Sequence, residues 1–255
     1  MNVSAEHVDF SYRCFPALSD VTFQVDSGNL ICVMGCNGAG KSTLFKCILG
    51  VLRPQKGKIF INGDDIAAIA PRAMAGKVAY IPQNQPWNFS YSALEIVLMG
   101  VTSGKGMFFI PGKEEEKQAE IAMEQLGIAN LKHRNYSHLS GGERQMVMIA
   151  RALAQKTKIL VMDEPCSDLD YGNQIRVMGA IKTLARQGYL VLLSTHNPQL
   201  TFLYADLALV LSAGKIRCFG APGEVIGEAL LKEIYDIHVR IKFDAETGKY
   251  ICLPK

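Results

Sequence analysis

Gly35-Cys36-Asn37-Gly38-Ala39-Gly40-Lys41-Ser42-Thr43 follows the apolar run Leu30-Ile31-Cys32-Val33-Met34 and leads into Leu44 to Leu49. The order predicted is strand, glycine loop, helix, which is the context a G-x-x-x-x-G-K-[S/T] pattern requires. Gly35, Gly38 and Gly40 tolerate backbone angles closed to other residues, so successive N–H groups can turn inward as an anion nest. The helix that follows points its positive end at the same spot. Lys41 adds a point charge for β- and γ-phosphates, and the Ser42 hydroxyl suits Mg²⁺. Strand, loop, lysine and hydroxyl together favour a nucleoside triphosphate site over an ordinary glycine-rich turn.

The bulk numbers restrict what surrounds this loop. A chain of 255 residues, 49% apolar and 20% charged, can bury one substantial core, with room for a subdomain. A net charge of +3 does not announce a nucleic-acid surface. No apolar run reaches the roughly 18 residues of a membrane helix. The start, Met1-Asn2-Val3-Ser4-Ala5-Glu6-His7, lacks the basic-then-apolar pattern of a signal peptide, so the expected location is the cytoplasm. The cysteines at 14, 32, 36, 47, 166, 218 and 252 form no C-x-x-C pair and fit reduced thiols filling core space. Cys36, inside the loop, is either a small side chain or a place where oxidation would hinder the nucleotide.

Outward from the loop, Val3–Phe10 and Leu18–Val25 read as two strands with a turn around Phe15-Pro16. Tyr12 is either core filler or a flat platform for a purine ring. Gly57–Gly63 and Lys77–Gln83 read as strands, the latter ended by Pro82. Gln83 is either solvated or an amide ligand for Mg²⁺ that senses the γ-phosphate. From Asn84 to Gln155 the texture turns helical, and its opening holds three aromatics in Trp87, Phe89 and Tyr91. These form either buried packing or a docking surface. Residues 102–113 read as a loop. Glu114–Leu126 reads as a helix ended by Gly127. Leu139-Ser140-Gly141-Gly142-Glu143 has capping-box spacing before another helix, either a structural cap or a second anion site.

Ile159-Leu160-Val161-Met162-Asp163-Glu164 reads as a buried strand ending in two carboxylates, which need a cation. Asp163 suits Mg²⁺, and Glu164 can polarise an attacking water. Tyr189–Ser194 is another buried strand. His196, just past it, is either structural or a donor to the γ-phosphate. Leu207–Ser212 and Lys215–Phe219 form a hairpin across Ala213-Gly214, and Val239–Leu253 alternates as a terminal hairpin.

In this order the motifs resemble the ATP-binding subunit of ABC transporters over nearly the whole chain. GCNGAGKST matches Walker A, with Cys36 where the family often has Pro. ILVMDE matches Walker B and LSGGE the signature, whose place between the two makes the resemblance specific. Gln83 matches the Q-loop, His196 the switch histidine, Ser167-Asp168-Leu169-Asp170 the D-loop and Tyr12 the adenine-stacking aromatic.

The resemblance implies an α/β fold: a P-loop NTPase with an ABC-type ATPase core, an antiparallel β subdomain and an inserted helical signature subdomain. One domain would span 1–255, with the helical part near 84–155 and a C-terminal hairpin near 239–253. It implies a dimer with two ATP molecules between the copies, Ser140 and Gly142 of one reaching the γ-phosphate held by the other, with Gly141 also lining the nucleotide. Tyr12, the loop from Gly35 to Thr43 and Asp170 would also line the nucleotide, and Ser42, Gln83 and Asp163 would hold Mg²⁺. Glu164 would be the general base, with Lys41 stabilising charge and His196 orienting the γ-phosphate.

Two looser stretches, Asn88–Gly100 and Gly220–Ile226 with downstream Tyr235, are similar to importers of iron–siderophore, haem, cobalamin or related metal-chelate substrates. Cys166 stands where Thr is usual, and Asp168 where a small residue or His is usual. The implied partners are two transmembrane permease subunits, a second copy of the chain and, indirectly, an external substrate-binding protein, with no nucleic acid. The implied place is the cytoplasmic face of the membrane. Alternatives are a molybdate or tungstate importer, an exporter subunit, or a soluble ABC ATPase acting on ribosomes or DNA. A P-loop kinase would leave LSGGE, Gln83 and His196 without roles.

Overall fold

The computed structural model describes residues 1–83, 90–103, 105 and 109–255. The chain opens with β1 (Asn2–Tyr12) and β2 (Phe15–Asp26), an antiparallel pair in which Val21, Phe23 and Val25 alternate inward against polar neighbours. The turn sits at Arg13-Cys14, not at Phe15-Pro16. Tyr12 pairs with Phe15 and Ser11 with Pro16, and Arg13 adopts φ +52°. Proline is tolerated in β2 because that strand lies at the sheet edge, where a missing N–H breaks no ladder on the open side. β4 (Lys56–Ile61) and β5 (Asp64–Asp65) complete this sheet in the order β2-β1-β4-β5.

A second sheet carries the chemistry. β3 (Leu30–Met34) is buried along its whole length, and α1 (Lys41–Ile48) follows it directly after the glycine loop. After α2 (Pro71–Met74) comes β6 (Val78–Ile81), then the helices α3 (Ala93–Val101), α4 (Lys113–Gln125) and α5 (Gly141–Ala154). The remaining units are β7 (Ile159–Met162), α6 (Tyr171–Arg186), β8 (Leu190–Thr195), α7 (Pro198–Tyr204), β9 (Leu207–Ser212) and β10 (Lys215–Gly220). Strand order is β10-β9-β3-β8-β7-β6, parallel from β9 to β6 with β10 antiparallel at one edge. Strands buried on both faces are apolar throughout, which is why β3, β7 and β8 read as continuous hydrophobic runs. Their carboxyl ends lie side by side, the place where open α/β sheets bind ligands.

The helical segment packs tightly. A Cβ added at Gly100 of α3 would lie 2.0 Å from the Arg151 carbonyl of α5, so only glycine permits this approach. α4 carries Glu114, Glu115 and Glu116 in its first turn, where the helix dipole favours negative charge. Of the aromatics at the start of this segment, Trp87 and Phe89 lie outside the described residues.

The chain closes with α8 (Pro222–Val225), α9 (Glu228–Tyr235) and the hairpin β11 (Val239–Asp244) and β12 (Lys249–Pro254). A separate apolar cluster joins this C-terminal unit to the parallel sheet through Met34, Phe202, Val210, Ile234 and Val239. The hairpin is tied down further by the Cys252 N–H donating to Gln199 Oε1 at 2.8 Å, and by the Ile241 N–H donating to Glu228 Oε1 at 3.1 Å.

Candidate active site at the strand ends

The loop between β3 and α1 is walled by its neighbours. A Cβ at Gly35 would lie 2.3 Å from the Leu211 carbonyl oxygen, and one at Gly40, whose φ is +105°, 2.5 Å from that of Ala17. Both positions exclude side chains on space as well as on backbone angle. Gly38, Asn37 and Ser42 face open solvent, Cys36 is half-buried, and Ala39 and Thr43 are buried. α1 starts without a side-chain cap and without an acid in its first turn. Its leading N–H groups and positive dipole are therefore left for an anion.

Lys41 is the buried cation of the site, with 6% of its side chain exposed. Its Nζ donates to the carbonyls of Gly35 at 2.8 Å and Cys36 at 3.1 Å, and lies 3.8 Å from Glu164 Oε1. These partners compensate a charge that would be costly to bury alone.

Asp163 and Glu164 follow β7, next to β6 and β8. Asp163 is buried, and its N–H donates to the Ile81 carbonyl at 2.8 Å. The Ser194 hydroxyl of β8 donates to Asp163 Oδ1 at 2.6 Å and accepts from the Glu164 N–H at 2.8 Å. One hydroxyl thus fixes both acids. Tyr80 of β6 has its phenol pushed up to about 12, first by burial and then by the charge and hydrogen bond of Asp163. Glu164 takes φ +46°, an unfavourable angle for a side-chain-bearing residue and a strain met most often at functional sites. Its Oε2 accepts from Gln83 Nε2 at 3.2 Å and lies 3.6 Å from His196 Nδ1, whose ring is exposed. Beside these residues a cavity of about 40 Å³, lined by Glu164, Ser167, His196 and Asn197, has room for a water or two.

Lys41, Gln83, Glu164 and His196 therefore converge, with Asp163 and Ser194 behind them. The residues 140–142 do not join this group. Ser140 accepts from the Glu143 N–H at 3.3 Å while Glu143 Oε2 accepts from the Ser140 N–H at 2.8 Å. That backbone N–H, then the Ser140 hydroxyl, holds the Glu143 carboxyl below its usual range. Gly141 packs on Leu169, and a Cβ at Gly142 would lie 2.4 Å from Asn173 Oδ1. Asp170 caps α6 by accepting from the Asn173 N–H at 2.9 Å and from Asn173 Nδ2 at 2.7 Å. So the start of α5 and the loop before α6 form one packed unit. Tyr12 is exposed at the end of β1, with its ring edge-on to Phe10 at 4.9 Å between centroids.

Two residues without an assigned role in the sequence reading enter here. Ser194 is a fully buried hydroxyl ending the run Leu192-Leu193, and a polar residue inside an apolar strand was the available signal. Tyr235, from α9, accepts from the Gly35 N–H at 3.3 Å, a contact over 200 positions that no local pattern announces.

Comparison with known proteins places these features in a family. The ABC transporter family matches residues 18–167. A hemin import ATP-binding protein of Thermobifida fusca is 32% identical over 252 residues, covering 99% of this chain and 88% of that protein. A cobalamin import ATP-binding protein of Halobacterium salinarum is 33% identical over 239 residues, covering 93% of this chain and 59% of the longer relative. Among solved structures, a metal-chelate type ABC transporter in an inward-facing conformation superposes with a TM-score of 0.87 at 30% identity, covering 99% of this chain and 96% of that one.

Proposed function

This chain belongs to the ABC transporter family as an ATP-hydrolysing subunit, and from that premise we propose that it drives import of a metal-chelate substrate such as an iron complex, haem or cobalamin. The observation that carries the chemistry is the convergence of Lys41, Gln83 and His196 on the single carboxylate of Glu164.

The oxygen donors fit a hard cation. The buried Asp163 carboxylate, the open Ser42 hydroxyl and the Gln83 amide oxygen would hold Mg²⁺, phosphate oxygens and water completing its shell. Bound there, the ion neutralises phosphate charge. The rest falls to the chain. N–H groups of residues 38–43 bind the phosphates, and Tyr12 stacks on the base. Lys41 moves from the Gly35 and Cys36 carbonyls onto the β- and γ-phosphates. That exchange leaves Glu164 free to take a proton from the attacking water. His196 donates to the γ-phosphate, and Gln83, next to Glu164, registers whether that phosphate is present. Ser194 keeps both acids in place through the cycle.

The start of α5, standing apart from these residues, supports closure by a second copy: Ser140 and Gly142 of one chain complete the γ-phosphate site of the other. Asp170, packed against that unit through Asn173, would move with it. ATP then stabilises the closed pair and hydrolysis releases it, because the γ-phosphate bridges the halves.

Transmission to the permease falls to an apolar groove of about 620 Å³ between α1 and β6, lined by Val51, Leu52, Ile66, Ile69, Met74 and Tyr80. β6 runs from the floor of this groove towards Gln83, so a permease helix seated there and the γ-phosphate bear on the same strand. No described helix is long and apolar enough to cross a membrane, and in this reading the permease supplies the pore. The subunit would sit on the cytoplasmic face, and the permease with an external binding protein would choose the substrate.

Co-purification from gently solubilised native membranes tests this reading. A polytopic permease recovered in equal amount supports it. Ribosomal or DNA-repair proteins in its place would overturn the import role while leaving the ATPase standing.

A further inference from the structure

We infer that Tyr235 is a positioning residue for the phosphate loop, through which the C-terminal helix and hairpin set the readiness of the site for ATP. The inference rests on the reading of residues 35–43 as the ATP site. Gly35 is the hinge of the argument. Its N–H donates to the Tyr235 hydroxyl at 3.3 Å, and its carbonyl accepts from Lys41 Nζ at 2.8 Å. A glycine has no Cβ to restrict rotation, so the direction of that carbonyl is not set by the residue itself. It is set from outside, by the Leu211 carbonyl against its Cα on one side and by the Tyr235 hydroxyl on its N–H. With the N–H pinned, the carbonyl holds Lys41 Nζ at the base of the loop, the place from which Lys41 passes to the phosphates when ATP arrives.

Tyr235 is itself held. Burial pushes its phenol up to about 12, so it remains a neutral hydroxyl able to accept from Gly35. Its ring joins the cluster that includes Met34 and Cys36 from the loop side and Ile234, Ile241 and Tyr250 from the C-terminal side. Tyr250 is wedged in turn: a Cβ at Gly223 would lie 2.1 Å from its ring. The hairpin, α9 and the first residues of the loop are thus one packed unit, although they are 200 positions apart. The unit holds the loop in the arrangement that ATP meets. Without the hydroxyl, a buried N–H loses its partner, and binding must pay for ordering the loop.

Tyr235→Phe in the full chain removes the hydroxyl and keeps the ring. The expected result is a KM for ATP raised about 3- to 10-fold, the effect of one lost hydrogen bond, with kcat held within about twofold. Amide exchange across residues 30–45 should quicken in nucleotide-free protein and match wild type when ATP is bound, with α9 and hairpin amides unchanged. An unchanged KM and unchanged loop exchange would overturn the role. So would a fall in kcat at constant KM, or faster exchange throughout α9 and the hairpin, which would mark a merely structural tyrosine. Wild-type protein that failed to bind ATP would instead remove the ATP reading itself, so the two failures are distinct.

Discussion

Two helices of this chain, α1 and α5, begin at glycines, and their ends are finished in opposite ways. α1 starts at Gly40 with no side-chain cap and no acid in its first turn, walled in by Ala17 and Leu211 and with Lys41 buried at its base. α5 starts at Ser140 with a complete capping box to Glu143, Ser140 exposed and Gly142 buried against Asn173. An uncapped helix end has unsatisfied N–H groups and wants an anion. A capped end has its leading N–H groups satisfied by its own side chains and is stable as it stands. The same glycine signal thus accompanies two different finishes: one helix start with its N–H groups left open, and one already satisfied by its own cap.

Substitutions can break that contrast. The largest effect is expected from Glu164→Gln: hydrolysis, followed by phosphate release, should fall about 10²- to 10⁴-fold. Binding should persist, and gel filtration should show an ATP-loaded dimer; normal turnover would remove Glu164 from the role of base. Lys41→Ala should cost about 10²- to 10³-fold in hydrolysis, and unlike the first variant it should weaken nucleotide binding by the isolated subunit. Gly142→Ala sharpens the contrast most directly, because its Cβ would force Asn173 aside. Fluorescent-nucleotide binding by the monomer should stay within about twofold while hydrolysis and ATP-dependent dimerisation fall about 10-fold. Weakened binding by the monomer would mean that the two helix ends act in one chain after all.

Smaller effects concern stability. Ser194→Ala leaves Asp163 Oδ1 and the Glu164 N–H without their shared partner, an expected loss of about 1–3 kcal/mol by denaturant titration. The last and smallest is a pH dependence. Glu143, held below its ordinary 4.5 by the Ser140 N–H, contributes stability that is present above pH 4.5 and lost as pH falls through the lowered value. Melting temperatures should show that loss in wild type below pH 4.5, and Glu143→Gln should lack it.

Much of this was legible in the chain. Residues 35–43, the Asp163-Glu164 pair, Gln83 and His196 each stand at the end of an apolar run, and parallel strands place their carboxyl ends together. The capping box of Ser140 and Glu143 was equally readable, because it depends on a spacing of three. The turn after β1 was misplaced because Phe15-Pro16 carries the stronger local signal, whereas strand pairing put Arg13-Cys14 at the reversal. Ser194 was visible only as a polar residue in a buried strand, and its task depends on β7 lying beside β8.

By itself, then, the sequence determined the chemistry on offer: a phosphate loop, two acids behind a strand, an amide, a histidine and a capped helix start, all local patterns set by backbone geometry and side-chain type. Tertiary structure decided which of them lie together. Sheet order brought Lys41, Gln83 and His196 onto Glu164, and the packing of α5 on Asn173 kept Ser140 to Gly142 apart from them. It also decided that the last part of the chain would touch the first motif, since the bond from Gly35 to Tyr235 exists only once a buried cluster has joined residues that no local rule connects.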